Sequence, residues 1–197
     1  MRKFFFLLFL SLSTTVNVAL AQDKKIMLLP KVQDTFFGIK MGTQVSSMNI
    51  SNALRRRGSY REEKVDPDSR KVVFADVYFA GKRWTYANFY LTSKGLLYGI
   101  HFCDCINRDS DYTKEWRCAS SIYELYRSAL EDKYGKGVEK EILDGQQTTF
   151  LGSNDMTVIV SHKLGQSEGG EIRRYVELYY VYNPIGIQQN NLYFSEL

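Results

Sequence analysis

The chain has 197 residues, with Lys+Arg 26 against Asp+Glu 22, a formal charge of +4, 44% hydrophobic and 24% charged residues, and only 3 prolines. That balance excludes a disordered or collagen-like chain and leaves one modest globular domain or two very small ones.

Residues 1–21 read as an address. Met1-Arg2-Lys3 gives a basic start, Phe4 to Leu12 is apolar or nearly so, and Ala19-Leu20-Ala21 is a small-x-small end. This is the pattern of a secretory signal peptide cleaved after Ala21. The apolar run is short of the roughly 18–20 residues that a membrane span needs, and Ser11, Ser13, Thr14, Thr15 and Asn17 break up the segment from there to Ala19. With no cysteine near the cleavage point, a lipid anchor is not expected. Export removes Arg2 and Lys3 and no acid, leaving 24 basic against 22 acidic residues, or +2. So small an excess does not support nucleic-acid binding, which wants a strongly basic patch. Four of the 12 Phe leave with the signal and all 14 Tyr stay. Tyr suits half-buried strands and interfaces, where one end is apolar and the other wet. The expected product is periplasmic or secreted, with no transmembrane span in the mature chain.

Residues 22–35 form a lead-in with one apolar patch, Ile26 to Leu29. The domain proper is expected over 36–182. A helix runs from about Ser46 to Arg57, with Ser46 or Ser47 as cap and Ile50, Ala53 and Leu54 at helical spacing. Gly58 supplies a left-handed stop. The charged stretch 59–69, containing Pro67, is expected as a loop. Three strands come next at 71–80, 83–92 and 96–103, joined by the tight turns Gly81-Lys82 and Ser93 to Gly95. Alternation sets Leu96, Tyr98, Ile100 and Phe102 on one side, with His101 and Cys103 on the other. It also sets Ala87, Phe89 and Leu91 inward and Trp84, Tyr86, Asn88 and Tyr90 outward.

After a polar connection over 104–112, a longer helix spans about Thr113 to Tyr134, with Trp116, Ala119, Tyr123, Tyr126, Ala129, Leu130 and Tyr134 on one side. Gly135 and Gly137 end it. Strands near 147–151, 155–162 and 172–182 complete the domain, the last pair joined by a loop holding Gly165, Ser167, Glu168, Gly169 and Gly170. In the last strand Val176, Leu178, Tyr180 and Tyr182 alternate with Arg173, Tyr175, Glu177 and Tyr179. Residues 183–197 read as a tail. The order helix, three strands, helix, three strands gives two repeats, 36–103 and 113–182. It predicts an α+β fold, an antiparallel sheet with the helices on one face.

Three cysteines, Cys103, Cys105 and Cys118, imply one bridge and one leftover thiol in an oxidising compartment, with free buried thiols as the alternative. Cys103 and Cys105 are two apart on a strand, so they point the same way and a bridge between them would be strained. Cys118 is expected to pair with Cys105 or with Cys103, and Cys105–Cys118 is the pairing carried forward. Either bridge closes a loop of about 14–16 residues, worth on the order of 3 kcal/mol in the chain-entropy account. A metal site is not expected, because Cys-x-Cys plus one distant Cys lacks a fourth ligand at a usual spacing and only His101 lies nearby.

The stretch Phe37-Gly38-Ile39-Lys40-Met41-Gly42-Thr43, followed by a helix with Leu54 and a closing Gly58, resembles the helix opening of small exported bacterial domains. These include the outer-membrane assembly lipoprotein BamE and the β-lactamase-inhibitor protein. Leu130-Glu131-Asp132-Lys133-Tyr134-Gly135-Lys136, with strands ending Val176-Glu177-Leu178-Tyr179-Tyr180, is similar to the second half of exported proteins of this broad type. The inhibitor protein is itself a tandem of two helix-plus-sheet repeats. The resemblance implies a domain that binds other proteins rather than an enzyme.

No motif names a reaction. His101 and His162 sit on separate strands, nothing sets a Ser-His-Asp order, and no nucleophile elbow, phosphate loop or dinucleotide fingerprint is present. Asp104, Asp109 and Asp111 do not match the calcium-loop spacing and read as a solvated acidic loop. Arg55-Arg56-Arg57 reads as a helix-end cap. The expected binding residues are Trp84, Tyr86, Tyr90, Arg173, Tyr175 and Tyr179, since large aromatics with Arg anchor interfaces. The expected function is a non-catalytic protein-binding or scaffold domain of the cell envelope, with an envelope or secreted protein as partner and no cofactor. A small apolar-ligand or lipid carrier would instead need a cavity. An enzyme would need a polar cleft with a convergent His.

Overall fold

The computed structural model describes residues 29–58, 63–66, 70–106, 112–166 and 172–190. The signal-peptide reading of 1–21, most of the 59–69 loop, Asp109, Asp111, the 167–170 turn and the end of the tail lie outside these residues.

The described chain opens with β1 (Thr35–Phe36) and β2 (Ile39–Lys40), a two-residue hairpin turning at Phe37 and Gly38. Both turn residues have positive φ, 53° and 84°, as the twist of this hairpin type requires. Helix α1 (Ser47–Arg55) comes next, and its N-cap Ser46 accepts a hydrogen bond from the Asn49 amide at 3.2 Å. Gly58, at φ 61°, lies just beyond its end.

The strands β3 (Glu63–Asp66), β4 (Lys71–Phe79), β5 (Lys82–Leu91) and β6 (Leu97–Ile106) form a meander. Helix α2 (Tyr112–Tyr134) precedes a second meander of β7 (Val138–Ile142), β8 (Gly145–Leu151), β9 (Met156–Gln166) and β10 (Ile172–Tyr182). The two meanders join through their last strands. The result is an eight-stranded antiparallel sheet, ordered β3-β4-β5-β6-β10-β9-β8-β7. The α+β layer and its antiparallel sheet therefore agree with the sequence expectation.

Each meander has four strands where three were expected. The additional ones, β3 and β7, are the two sheet edges. Their sequences, Glu-Lys-Val-Asp and Val-Glu-Lys-Glu-Ile, are charged as edge strands tend to be, because charge discourages pairing with another chain. An apolar alternation cannot reveal them. Residues 183–197 are also not wholly a tail, since Asn183–Asn190 forms helix α3, which packs on β6 and β10. Val32, fully buried, ties the preceding lead-in to the core.

One sheet face is covered by α1, α2 and the β1–β2 hairpin. Ile50 and Leu54 of α1, and Tyr123, Tyr126, Leu130 and Tyr134 of α2, are buried there as their spacing predicts. The centre is aromatic. Phe79 stacks on Phe102 at 4.2 Å with planes 3° apart, and Phe36, Phe37 and Tyr180 close around them. Aromatic pairs of this kind add roughly 0.5–1.5 kcal/mol beyond the area they bury.

Among the described residues, strict alternation fails at two places. At Asp76, which has a left-handed φ of 57°, the inward series of β4 changes parity, with Val72 and Phe74 before it and Val77 and Phe79 after. On the paired strand the change falls between Trp84 and Ala87, while the pairs Phe74↔Ala87 and Val77↔Trp84 keep one register. Trp84 thus turns inward, against expectation. It is fully buried against Phe102 (5.8 Å) and Tyr126 (5.3 Å), and its indole N–H donates to the Phe79 carbonyl at 3.0 Å. The second break is a register shift between Tyr90 and Leu91. It seats Leu97 in the core and moves Tyr98 to the opposite face, where its ring lies 6.2 Å from Tyr90.

Candidate functional site on the second sheet face

The face turned away from α2 carries Tyr98 and the odd-numbered residues from Gly99 onward in β6, the odd-numbered residues of β9 and β10, and Tyr86, Asn88 and Tyr90 of β5. It is half-buried over most of its area, as a face reached by solvent should be. At one end Thr157 and Val181 are buried where α3 begins, with Thr157 Oγ1 donating to Asn183 at 3.0 Å.

Five of the six expected binding residues belong to this face, and Trp84 alone does not. Tyr86 is 45% exposed, while Tyr90, Arg173, Tyr175 and Tyr179 are half-buried. Glycines set the posture of two tyrosines. A Cβ added to Gly99 would stand 2.8 Å from the Tyr179 hydroxyl, and one added to Gly165 would stand 2.9 Å from the Tyr175 ring. Both rings lie low over neighbouring strands where a side chain is missing, which extends aromatic cover along the sheet. The Tyr179 ring also meets Tyr90 at 5.9 Å and His101 at 5.5 Å.

Between the tyrosines runs a polar row across four strands. The amide of Asn88 donates to His101 Nδ1 at 3.3 Å, and His101 Nε2 lies 3.3 Å from Glu177 Oε1. The other carboxylate oxygen, Oε2, receives Lys163 Nζ at 3.1 Å and the Ser161 hydroxyl at 3.1 Å. Register explains the convergence, since Asn88 pairs with His101, and Glu177 pairs with Cys103 on one side and Ser161 on the other. Burial pushes the Glu177 pKa up, but His101 and Lys163 outweigh it and bring it down to about 2. Glu177 is therefore a carboxylate at any ordinary pH.

Cys103 lies beside Glu177. Burial first, and then the negative charge of Glu177, pushes its thiol well above the usual range. It is a weak nucleophile as it stands, because the thiolate is the reactive form. Cys105 faces the same way, with Arg173 at 3.6 Å. All three cysteines are free thiols, so the Cys105–Cys118 bridge is not formed. Cys105 points from the second face, whereas Cys118 is exposed on α2 beyond the other face. The sheet itself lies between them.

The remaining expectations fall elsewhere. His162 sits in the core beneath the Tyr123 ring at 5.0 Å, its pKa lowered by burial and then by Arg174. It and His101 face opposite sides of the sheet, so the two histidines cannot act on one ligand. Asp104 is paired with Lys82 at 2.6 Å and accepts from Thr85 at 2.7 Å, so it is held in an ion pair rather than solvated. Sequence reasoning singled out Arg173, Tyr175 and Tyr179 on β10 but assigned no role to Glu177, Ser161, Lys163 or Asn88. Parity placed Glu177 beside Tyr175 and Tyr179, but only the β6–β10–β9 pairing brings His101, Cys103, Ser161 and Lys163 to it. Comparison of the chain with protein-family models, curated proteins and solved structures finds no match.

Proposed function

We propose that this chain is an exported, non-catalytic binding domain of the cell envelope, which takes a protein partner on its second sheet face. The observation that carries the reading is the array of Tyr86, Tyr90, Tyr175 and Tyr179 with Arg173, exposed or half-buried on the paired strands β5, β6 and β10. Tyr and Arg are the residues that anchor interfaces, because they bury much apolar area while keeping a polar end. The weak nucleophilicity of Cys103 and the permanently ionised Glu177 argue against an acid–base or thiol enzyme built on the same row.

The tandem architecture belongs to the same proposal. Each meander comes after a helix, and the two meet through their last strands, so the sheet reads alike from both edges. That order favours the resemblance to the two-repeat inhibitor protein over a single-repeat domain. Export rests on the pattern of residues 1–21. Among the described residues no helix is long and apolar enough to cross a membrane.

The test is capture of envelope proteins on the immobilised protein and on its Tyr86→Ala/Tyr175→Ala double variant. Loss of a stoichiometric partner, with the melting temperature unchanged, is the expected result. A partner retained by the double variant refutes the sheet-face reading. Trp84→Ala is unsuited to this test, because emptying a fully buried aromatic site costs about 3–5 kcal/mol.

A further inference from the structure

We propose that His101, Cys103 and Glu177 form a binding site for a divalent transition-metal cation of the zinc type. One ligand atom from each residue lies within 4.8 Å of the other two. A tetrahedral site with ligand bonds of about 2.0–2.3 Å has edges of roughly 3.3–3.8 Å, so the trio closes on an ion with side-chain movements of about 1 Å. The backbone already does the larger work. His101 and Cys103 project from one strand at a spacing of two, and Glu177 stands directly across from Cys103 on β10.

The donor set is an imidazole nitrogen, a thiolate and a carboxylate oxygen. Three such protein ligands with a fourth position open to water suit zinc, and mixed soft and hard donors disfavour magnesium or calcium. Binding forms a metal–sulfur bond, sends the Cys103 thiol proton to solvent and releases water from the hydrated ion.

A metal site also needs its ligands held by a surrounding layer, and that layer is present. Glu177 divides its oxygens, with Oε2 engaged by Lys163 and Ser161 while Oε1 faces His101. Oε1 can therefore ligate without disturbing the other contacts. His101 is held by Asn88 at Nδ1, leaving Nε2 toward Glu177. Rotation of the Asn88 amide lets its oxygen accept an N–H at Nδ1, which frees the Nε2 lone pair for the ion. Lys163 is a competing cation, so the site is expected to be moderate rather than tight.

The test uses the purified protein without a histidine tag, reduced by a phosphine. Cobalt(II) serves as the spectroscopic probe and zinc as its competitor. One equivalent of cobalt should give a thiolate-to-metal absorption band that zinc abolishes. The band should disappear in Cys103→Ser and persist in Cys105→Ser and Cys118→Ser. Asn88→Ala should weaken binding roughly 10- to 100-fold, the usual effect of removing an orienting partner. In the unsubstituted protein, zinc should protect Cys103 from alkylation while Cys118 labels at an unchanged rate. Because Cys103 is buried and weakly nucleophilic, its labelling is followed with a small alkylating reagent for long enough that the metal-free protein reacts measurably, and this readout decides the matter even if a variant misfolds. Absence of the band, its survival in Cys103→Ser, or alkylation of Cys103 at the same rate with and without zinc would overturn the proposal. None of these outcomes depends on a protein partner.

Discussion

Glu177 shows how one side chain can tie stability to pH. Its carboxyl has a pKa of about 2 in the fold against an ordinary 4.5. As pH falls below 4.5 the unfolded chain takes up a proton that the folded chain refuses, so stability is lost progressively down to about pH 2. His162 adds a separate, earlier loss. Its folded pKa lies below 6.5, so unfolding gains a proton as soon as the pH drops beneath that value. Urea midpoints measured from neutral pH downward should therefore fall in two stages. Glu177→Gln should flatten the lower stage and leave the upper, and His162→Gln should do the reverse. If Glu177→Gln keeps the full slope below pH 4.5, the acid sensitivity belongs to other carboxylates.

At the scale of elements, the informative features are the places where strands depart from ideal alternation. The parity change at Asp76 sends Trp84 into the core, and the shift at Tyr90 moves Tyr98 out of it. Both arise from backbone events that a list of apolar positions does not encode. Gly99 is the converse case, a residue whose lack of a side chain lets Tyr179 lie across β6. Gly99→Ala should crowd the Tyr179 hydroxyl and cost about 1–3 kcal/mol, the range for overpacking. Gly135→Ala is a useful comparison, since nothing lies within reach of a Cβ there and only its φ of 81° resists the change. A Gly99→Ala variant with an unaltered urea midpoint would mean that Tyr179 moves freely, contrary to its packing against Tyr90 and His101.

For the whole molecule, the two meanders share more than an edge. Eight residue pairs join β6 to β10, from Val181↔Gly99 to Arg174↔Ile106. The core crosses the same seam, with Phe36 against Tyr180 and Tyr126 of α2 against Trp84 of the first meander. Separating the halves would uncover Phe36 and Trp84 on one side and Tyr180 and Tyr126 on the other. Chains cut to 29–106 or to 112–190 should lack a cooperative thermal transition separately and regain it when mixed, read by near-ultraviolet circular dichroism. A cooperative transition in either fragment would show that the halves are independent domains. In the intact protein, amide exchange should be slowest in β6 and β10 and fastest in the edge strands β3 and β7.

The sequence by itself determined the two helices, the six inner strands, the tight turns between them and the antiparallel α+β class. Apolar periodicity and turn chemistry are local, and a chain that buries one face must display them. It also placed Tyr86, Arg173, Tyr175 and Tyr179 on a common side. The tertiary structure decided the rest. The edge strands carry charge because they have a partner on one side only, and so they lack an apolar signature. The inward turn of Trp84 depends on one left-handed residue in the neighbouring strand. The row Asn88–His101–Glu177–Lys163 and the grouping of His101 and Cys103 with Glu177 exist only through the pairing of strands up to about 80 residues apart in the chain, a long-range contact that no local pattern records.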